Sequence, residues 1–212
     1  ILSVAIMNMA IVSFYISNSL KKNSEQAMHS INKQKMITIE NLLDSFVTMT
    51  QKPLIDESMM DILVKEYEEK PNTSVRYQMY EDIDLMGERL YSEMYYRNEY
   101  IYGVTIFVAN DGRTYYKQRS GKRYLEKDPE SLEWYQELLK TDGKEAVLFP
   151  YMKEDLYLGE EPIIAIGRLL KNPMTNQIAG VIRIDIAVKD LGKIWEDDEM
   201  GGTTKVVFFD KN

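Results

Sequence analysis

Gly180-Val181-Ile182-Arg183-Ile184-Asp185-Ile186 decides the fold class, because from Ile182 to Ile186 it keeps a period of two. On an extended strand Ile182, Ile184 and Ile186 take one face while Arg183 and Asp185 share the other. One face thus suits an apolar layer, and the other suits solvent or a polar pocket. Such a strand belongs to an antiparallel sheet. Upstream, Asn172-Pro173 marks a turn after the apolar run Ile163 to Leu170, and Ala146 to Phe149 forms a shorter strand before the turn at Gly159 to Pro162. Further back, Val104, Ile106 and Val108 alternate with Thr105 and Phe107, and Asn110-Asp111-Gly112 supplies a hairpin turn into Arg113 to Lys117.

The N-terminal half has the helical period instead. Ser24 to about Thr50 lacks Gly and Pro, and Ile39, Leu42, Phe46 and Met49 recur at three-four spacing, which predicts a long amphipathic helix. Pro53 should interrupt it, with Asp56 capping a short helix to Tyr67. Val75, Met79, Ile83, Met86, Leu90 and Met94 predict a second long helix to about Arg97. Asp128-Pro129 should start a helix ending near Lys140, and another short helix is expected from Asp190 to Trp195. The expected class is α+β: a helical stalk, then a five-stranded antiparallel sheet.

Ile1 to Leu20 holds no Asp, Glu, Lys, Arg, Pro or Gly, and is expected to be part of a transmembrane helix. Lys21 and Lys22 follow it directly, but one flank alone does not orient a span. With no break before Pro53, the helix should continue into the stalk. Because the chain opens inside an apolar run and closes at Asn212 after strand-like Lys205 to Phe209, it reads as a fragment of a longer protein.

Composition excludes several functions. A net charge of −8 without a basic stripe argues against nucleic acid. Zero Cys removes thiol catalysis and disulfides. The single His, His29 on the stalk, supports neither a zinc site nor a Ser-His-Asp triad, and no cofactor motif is present. Glu196-Asp197-Asp198-Glu199 lacks the Gly-punctuated spacing of a calcium loop and reads as a solvated acidic loop.

The element order, with Val104-Thr105-Ile106-Phe107, Asn110-Asp111-Gly112, Trp134-Tyr135, Phe149-Pro150-Tyr151 and Gly180 to Ile186, resembles the distal half of a double Cache (dCache, PAS-like) sensor domain. The flavour is similar to the ectodomains of YesM-type bacterial sensor histidine kinases. The resemblance implies a transmembrane helix over 1–20, a stalk with packing helices over 21–98, a membrane-distal Cache domain over 99–195, and over 196–212 a linker with the first strand of a membrane-proximal half. It also implies an extracytoplasmic location after about residue 20, and the apolar stripe of the stalk, beyond what one sheet can cover, predicts a homodimer in the full receptor.

Trp134, Tyr135, Tyr151 and Asp185 match the pattern by which related domains hold amino acids, but Leu132 and Lys127 stand where that pattern has Arg and Tyr. Without that clamp the expected ligand is a small molecule other than a free α-amino acid. The candidate ligand residues are therefore Trp134, Tyr135, Tyr151, Asp185 and Arg183. For Trp134 and Tyr135 the alternative is packing of helix on sheet, and for Arg183 with Asp185 it is a mutual surface ion pair. Arg168, on the face of Ile164 and Ile166, would need a partner.

The expected function is ligand sensing for a membrane receptor, with no catalysis in the chain itself. Ectodomains of this kind also serve chemoreceptors and diguanylate cyclases. From other classes, a membrane-anchored glycosidase using paired carboxylates and a purely structural membrane protein stay as alternatives.

Overall fold

The computed structural model describes residues 2–68, 71–95, 98–119, 124–125, 127–153, 155–157 and 162–196, and leaves aside the side chains of 2–12, 93–95, 151, 195 and 196. The chain divides into two compact units, Ile1–Leu42 and Leu43–Asn212. The first unit is helical, because α1 runs unbroken over Leu2–Met49. Phe14, Tyr15, Ile16 and Leu20 on it are exposed. Among the described residues no helix is long and apolar enough to cross a membrane. The expected span rests in good part on residues 1–12, whose side chains lie outside the described set.

In the second unit, α1 ends at Met49 and Pro53 lies in the first turn of α2 (Lys52–Ile55), where its missing N–H costs nothing. Asp56 then caps α3 (Glu57–Val64), its carboxylate accepting from the Met59 amide at 3.2 Å. Asn72 does the same for α4 (Thr73–Arg89) through the Val75 amide at 3.0 Å. The sequence predicts one regular helix to about Arg97. Instead the α-helix yields at Leu90 to a π-helical turn, Leu90–Tyr95, whose wider hydrogen-bond ring takes up an extra residue beyond the fully buried Met86 and Leu90.

The sheet comprises β1 (Ile101–Val108), β2 (Thr114–Gln118), β3 (Val147–Lys153), β4 (Pro162–Lys171) and β5 (Ile178–Ala187). Its order is β2-β1-β5-β4-β3. Every pair is antiparallel, and the last of the described strands sits at the centre; the strand expected at Lys205 to Phe209 lies outside the described residues. Gly180 is required there: a Cβ at this position would lie 2.2 Å from the Phe107 carbonyl oxygen on β1. A final helix, α6 (Val188–Glu196), follows β5 directly and buries Leu191.

On the face with Ile182, Ile184 and Ile186, Arg168 finds the partners it needed. Its Nε donates to Thr50 Oγ1 at 2.8 Å, and its Nη1 donates to the carbonyls of Gly143 at 3.1 Å and Lys144 at 2.6 Å. The end of α1 is thereby tied to this face. The opposite face carries α5 (Glu133–Leu139). The helix expected to start at Asp128-Pro129 is split: Asp128 caps a short 3₁₀ turn at Pro129–Ser131, then Leu132 goes extended and buries its side chain before α5 begins. Trp134, Tyr135 and Leu138 of α5 join Phe107, Ala165, Leu169 and Val181 in the core on this side.

Candidate functional site

Small residues on the neighbours of β5 leave a hollow above the sheet on the α5 side. Asp185 is flanked by Gly103 on β1 and Ala165 on β4, and Arg183 by Thr105 and Gly167. Large side chains from outside the sheet fill the volume. Tyr157 lies over Gly103, where an added Cβ would come within 3.0 Å of its ring, and its hydroxyl shares a 2.8 Å hydrogen bond with Thr105 Oγ1. Leu138 occupies the space above Gly167.

Between these walls lies a charged cluster. Arg183 Nε donates to Asp185 Oδ1 at 2.6 Å and Nη2 to Oδ2 at 3.2 Å, the paired-fork arrangement that suits guanidinium and carboxylate. The remaining nitrogen, Nη1, donates to Asp155 Oδ1 at 2.7 Å. The guanidinium sits 4.5 Å from the centre of the Trp134 ring, a cation–π contact. Trp134 Nε1 in turn donates to Asp155 Oδ2 at 3.1 Å, so each oxygen of Asp155 takes one donor. Phe107 and Tyr135 pack on Trp134 at centroid distances of 5.9 and 6.0 Å.

Arg183 and Asp185 are both 0% exposed, and the Asp155 side chain keeps 23%. Burial works against a charged guanidinium, but the carboxylates of Asp185 and Asp155 outweigh it and lift the Arg183 pKa above the ordinary arginine value. Burial pushes the Asp185 carboxyl up, opposed by Arg183. Buried ion pairs gain little stability over apolar residues of the same size. Desolvated, strongly perturbed charges of this kind make the cluster the candidate site.

Both alternatives raised by the sequence prove partial. Arg183 and Asp185 do pair with each other, but not on the surface: the face expected to be solvent or a polar pocket is roofed by Trp134 and Tyr157, which rules out solvent. Trp134 and Tyr135, at 4% and 6% exposure, are core residues, yet Trp134 also holds the polar cluster through its ring face and its N–H. Leu132, at the position of the absent clamp arginine, is part of the core, and the guanidinium beside Trp134 comes from Arg183 instead. Tyr151 lies in β3, with its side chain outside the described residues.

Asp155 was missed from sequence. Its signal was indirect: a buried arginine with five N–H donors needs more than one acceptor, and Asp155 is an acid shortly before β4. Among the described residues no group of three His, Cys, Asp or Glu could hold a metal ion. An open groove of about 700 Å³ lies elsewhere, between α4 and β2, lined by Ile83, Gly87, Tyr91, Tyr116 and Lys117 among others. It ranks behind the Arg183 cluster as a site, since Ile83, Tyr91 and Tyr116 are exposed and contribute no buried charge.

No protein-family model matches the sequence, and no curated protein matches it either. Solved structures do match. The sensory domain of the Campylobacter jejuni chemoreceptor Tlp3 with isoleucine bound aligns with a TM-score of 0.55 at 19% identity, covering 85% of this chain and 66% of that one. The Tlp3 ligand-binding domain in complex with 4-methylisoleucine gives 0.55 at 18% identity, over 78% of this chain and 59% of that one. The ligand-binding domain of the Pseudomonas aeruginosa amino acid chemoreceptor PctC, in complex with GABA, gives 0.54 at 17% identity, with coverages of 81% and 67%. This chain thus spans about 59 to 67% of the length of these domains. The likeness shows the fold: a long N-terminal helix followed by an antiparallel sheet, the α+β architecture of Cache-like chemoreceptor sensor domains.

Proposed function

We propose that this chain is the extracytoplasmic ligand-sensing domain of a bacterial membrane receptor, anchored through residues 1–20 and carrying no catalytic chemistry itself. The observation that carries the reading is the buried Arg183–Asp185–Asp155 cluster under Trp134, on the α5 face of a sheet whose fold is that of chemoreceptor sensor domains. The ligand class this supports is a small polar molecule, held by Trp134, Tyr135, Arg183 and Asp185, with Tyr151 kept as a candidate from the sequence pattern. In the complete receptor the chain would act as a homodimer. A two-component sensor histidine kinase is the output suggested by the sequence phrases, and a chemoreceptor is favoured equally by the solved structures that share the fold.

Thermal-shift screening of the 212-residue chain in detergent against amino acids, amines, organic acids and sugars tests this. A ligand that binds only the folded state stabilises it by about 2.7 kcal/mol at one hundred times its Kd. A shift that Trp134→Phe weakens, with the unliganded melting point recorded as control, supports the reading. If no compound shifts the melting point at millimolar concentration, sensing by this domain is refuted.

A further inference from the structure

We propose that the Asp155 carboxylate is a tethered occupant of a carboxylate-binding site, and that a small free carboxylate competes with it for Arg183 Nη1 and Trp134 Nε1. This rests on the sensor reading and names the chemistry of its ligand. The two donors belong to different elements, β5 and α5, and converge on the two oxygens of one carboxylate at 2.7 and 3.1 Å. That is how a fork of charged and neutral N–H groups holds any carboxylate. Arg183 Nε and Nη2 are committed to Asp185, while the guanidinium sits over the Trp134 ring and Nη1 reaches Asp155.

Asp155 differs from the other members of the cluster in two ways. Its side chain is 23% exposed where the Arg183 and Asp185 side chains are fully buried, so one edge of the carboxylate already meets solvent. The two residues after it are fixed: Leu156 and Tyr157 are fully buried, the Leu156 carbonyl accepts from the Leu125 amide at 2.7 Å, and Tyr157 is bonded to Thr105. Turning the Asp155 side chain out to water therefore leaves Leu156 and Tyr157 where they are. An incoming carboxylate of the same size and charge would restore both hydrogen bonds and replace the charge that Asp155 carries beside Arg183. A cation entering the same space would leave Arg183 Nη1 and the indole N–H facing a positive charge.

Because Asp155 is attached, it competes at a high effective concentration, and a free carboxylate binds weakly until that competitor is removed. Sodium acetate is the probe, titrated by calorimetry into the unmodified chain and into Asp155→Ala at constant ionic strength, with methylammonium chloride as the cationic control. Acetate should bind Asp155→Ala at least tenfold more tightly, and Asp155→Ala/Trp134→Phe, which keeps an aromatic ring but removes the indole N–H, should lose most of that gain. Equal acetate affinity in the unmodified chain and Asp155→Ala overturns the proposal, as does a gain for methylammonium in place of acetate. If Asp155→Ala does not fold, Asp155→Ser, which leaves Arg183 a hydroxyl, replaces it. Failure of both to fold would make Asp155 a structural residue and also overturn the proposal. The sensor reading is judged separately, by the compound screen on the unmodified chain, and survives a negative acetate result.

Discussion

Replacing Arg183 with Met removes a charge from the centre of the sheet while nearly preserving side-chain length. Asp155 loses one donor but, with 23% of its side chain exposed, recovers water. Asp185 loses both donors at 0% exposure and recovers nothing. One uncompensated buried carboxylate costs about 3 to 5 kcal/mol. Protonating Asp185 limits that cost: from an unfolded-state pKa near 3.9 to pH 7 is about three units, or roughly 4 kcal/mol, so the expected loss at pH 7 is about 4 kcal/mol. At pH 4.5 the same route costs only about 1 kcal/mol. The sign follows from a folded-state pKa raised above the unfolded one: stability is fully present below the unfolded value and is lost as pH rises through the folded value. Urea unfolding of the variant and the unmodified chain at both pH values measures the difference. Arg183→Met/Asp185→Leu should regain at least about 2 kcal/mol over Arg183→Met at pH 7, because no orphaned charge remains. A loss that is the same at both pH values, or a double variant whose losses simply add, would refute the reasoning.

Gly180→Ala should cost at least about 2 kcal/mol in the same assay, since its Cβ would meet a backbone carbonyl of β1 at 2.2 Å, which cannot rotate away. Asp56→Ala should cost about 0.5 to 2 kcal/mol through loss of the α3 cap. Burial acts to raise the Asp56 pKa, but hydrogen bonds from Ser58 and Met59, with Arg89 nearby, win and hold it below the ordinary value. The cap's contribution is thus present above the unfolded pKa and lost as pH falls through the folded one, so the cost of Asp56→Ala should shrink in acid unfolding below about pH 4. Thr50→Val should destabilise by about 1 to 3 kcal/mol in thermal unfolding, because the Arg168 Nε loses a buried acceptor where water is excluded.

The strands were legible from turn chemistry at their ends together with alternation, as in β5, or a continuous apolar run, as in β4, although β3 runs on past Phe149 to Lys153. The caps at Asp56 and Asn72 were equally local signals, though only Asp56 was named. The π-helical turn at Leu90–Tyr95 was not legible, since Val75 to Met94 continues the α-helical period through it. In the site, the pairing of Arg183 with Asp185 followed from strand geometry, but its burial did not. Burial depends on what covers the sheet, and the cover comes from Trp134 and Tyr157, distant in sequence. Asp155 was out of reach for the same reason: nothing local marks an acid as the second partner of an arginine on another strand.

The alternation along β5 also governs how the chain finds its register. From Ala179 to Ala187 every residue is buried, odd positions toward the charged cluster and even positions toward the Ile layer. In an ordinary half-exposed strand, sliding by one residue turns greasy side chains toward water. Here the same slip would drive Arg183 and Asp185 into a layer of isoleucines while pulling both from Trp134 and Asp155. Because β5 pairs with β1 on one side and β4 on the other, the error would spread to both neighbours. The cluster therefore acts as a key cut into the middle of the sheet, and a misaligned pairing carries the cost of two charges buried without partners.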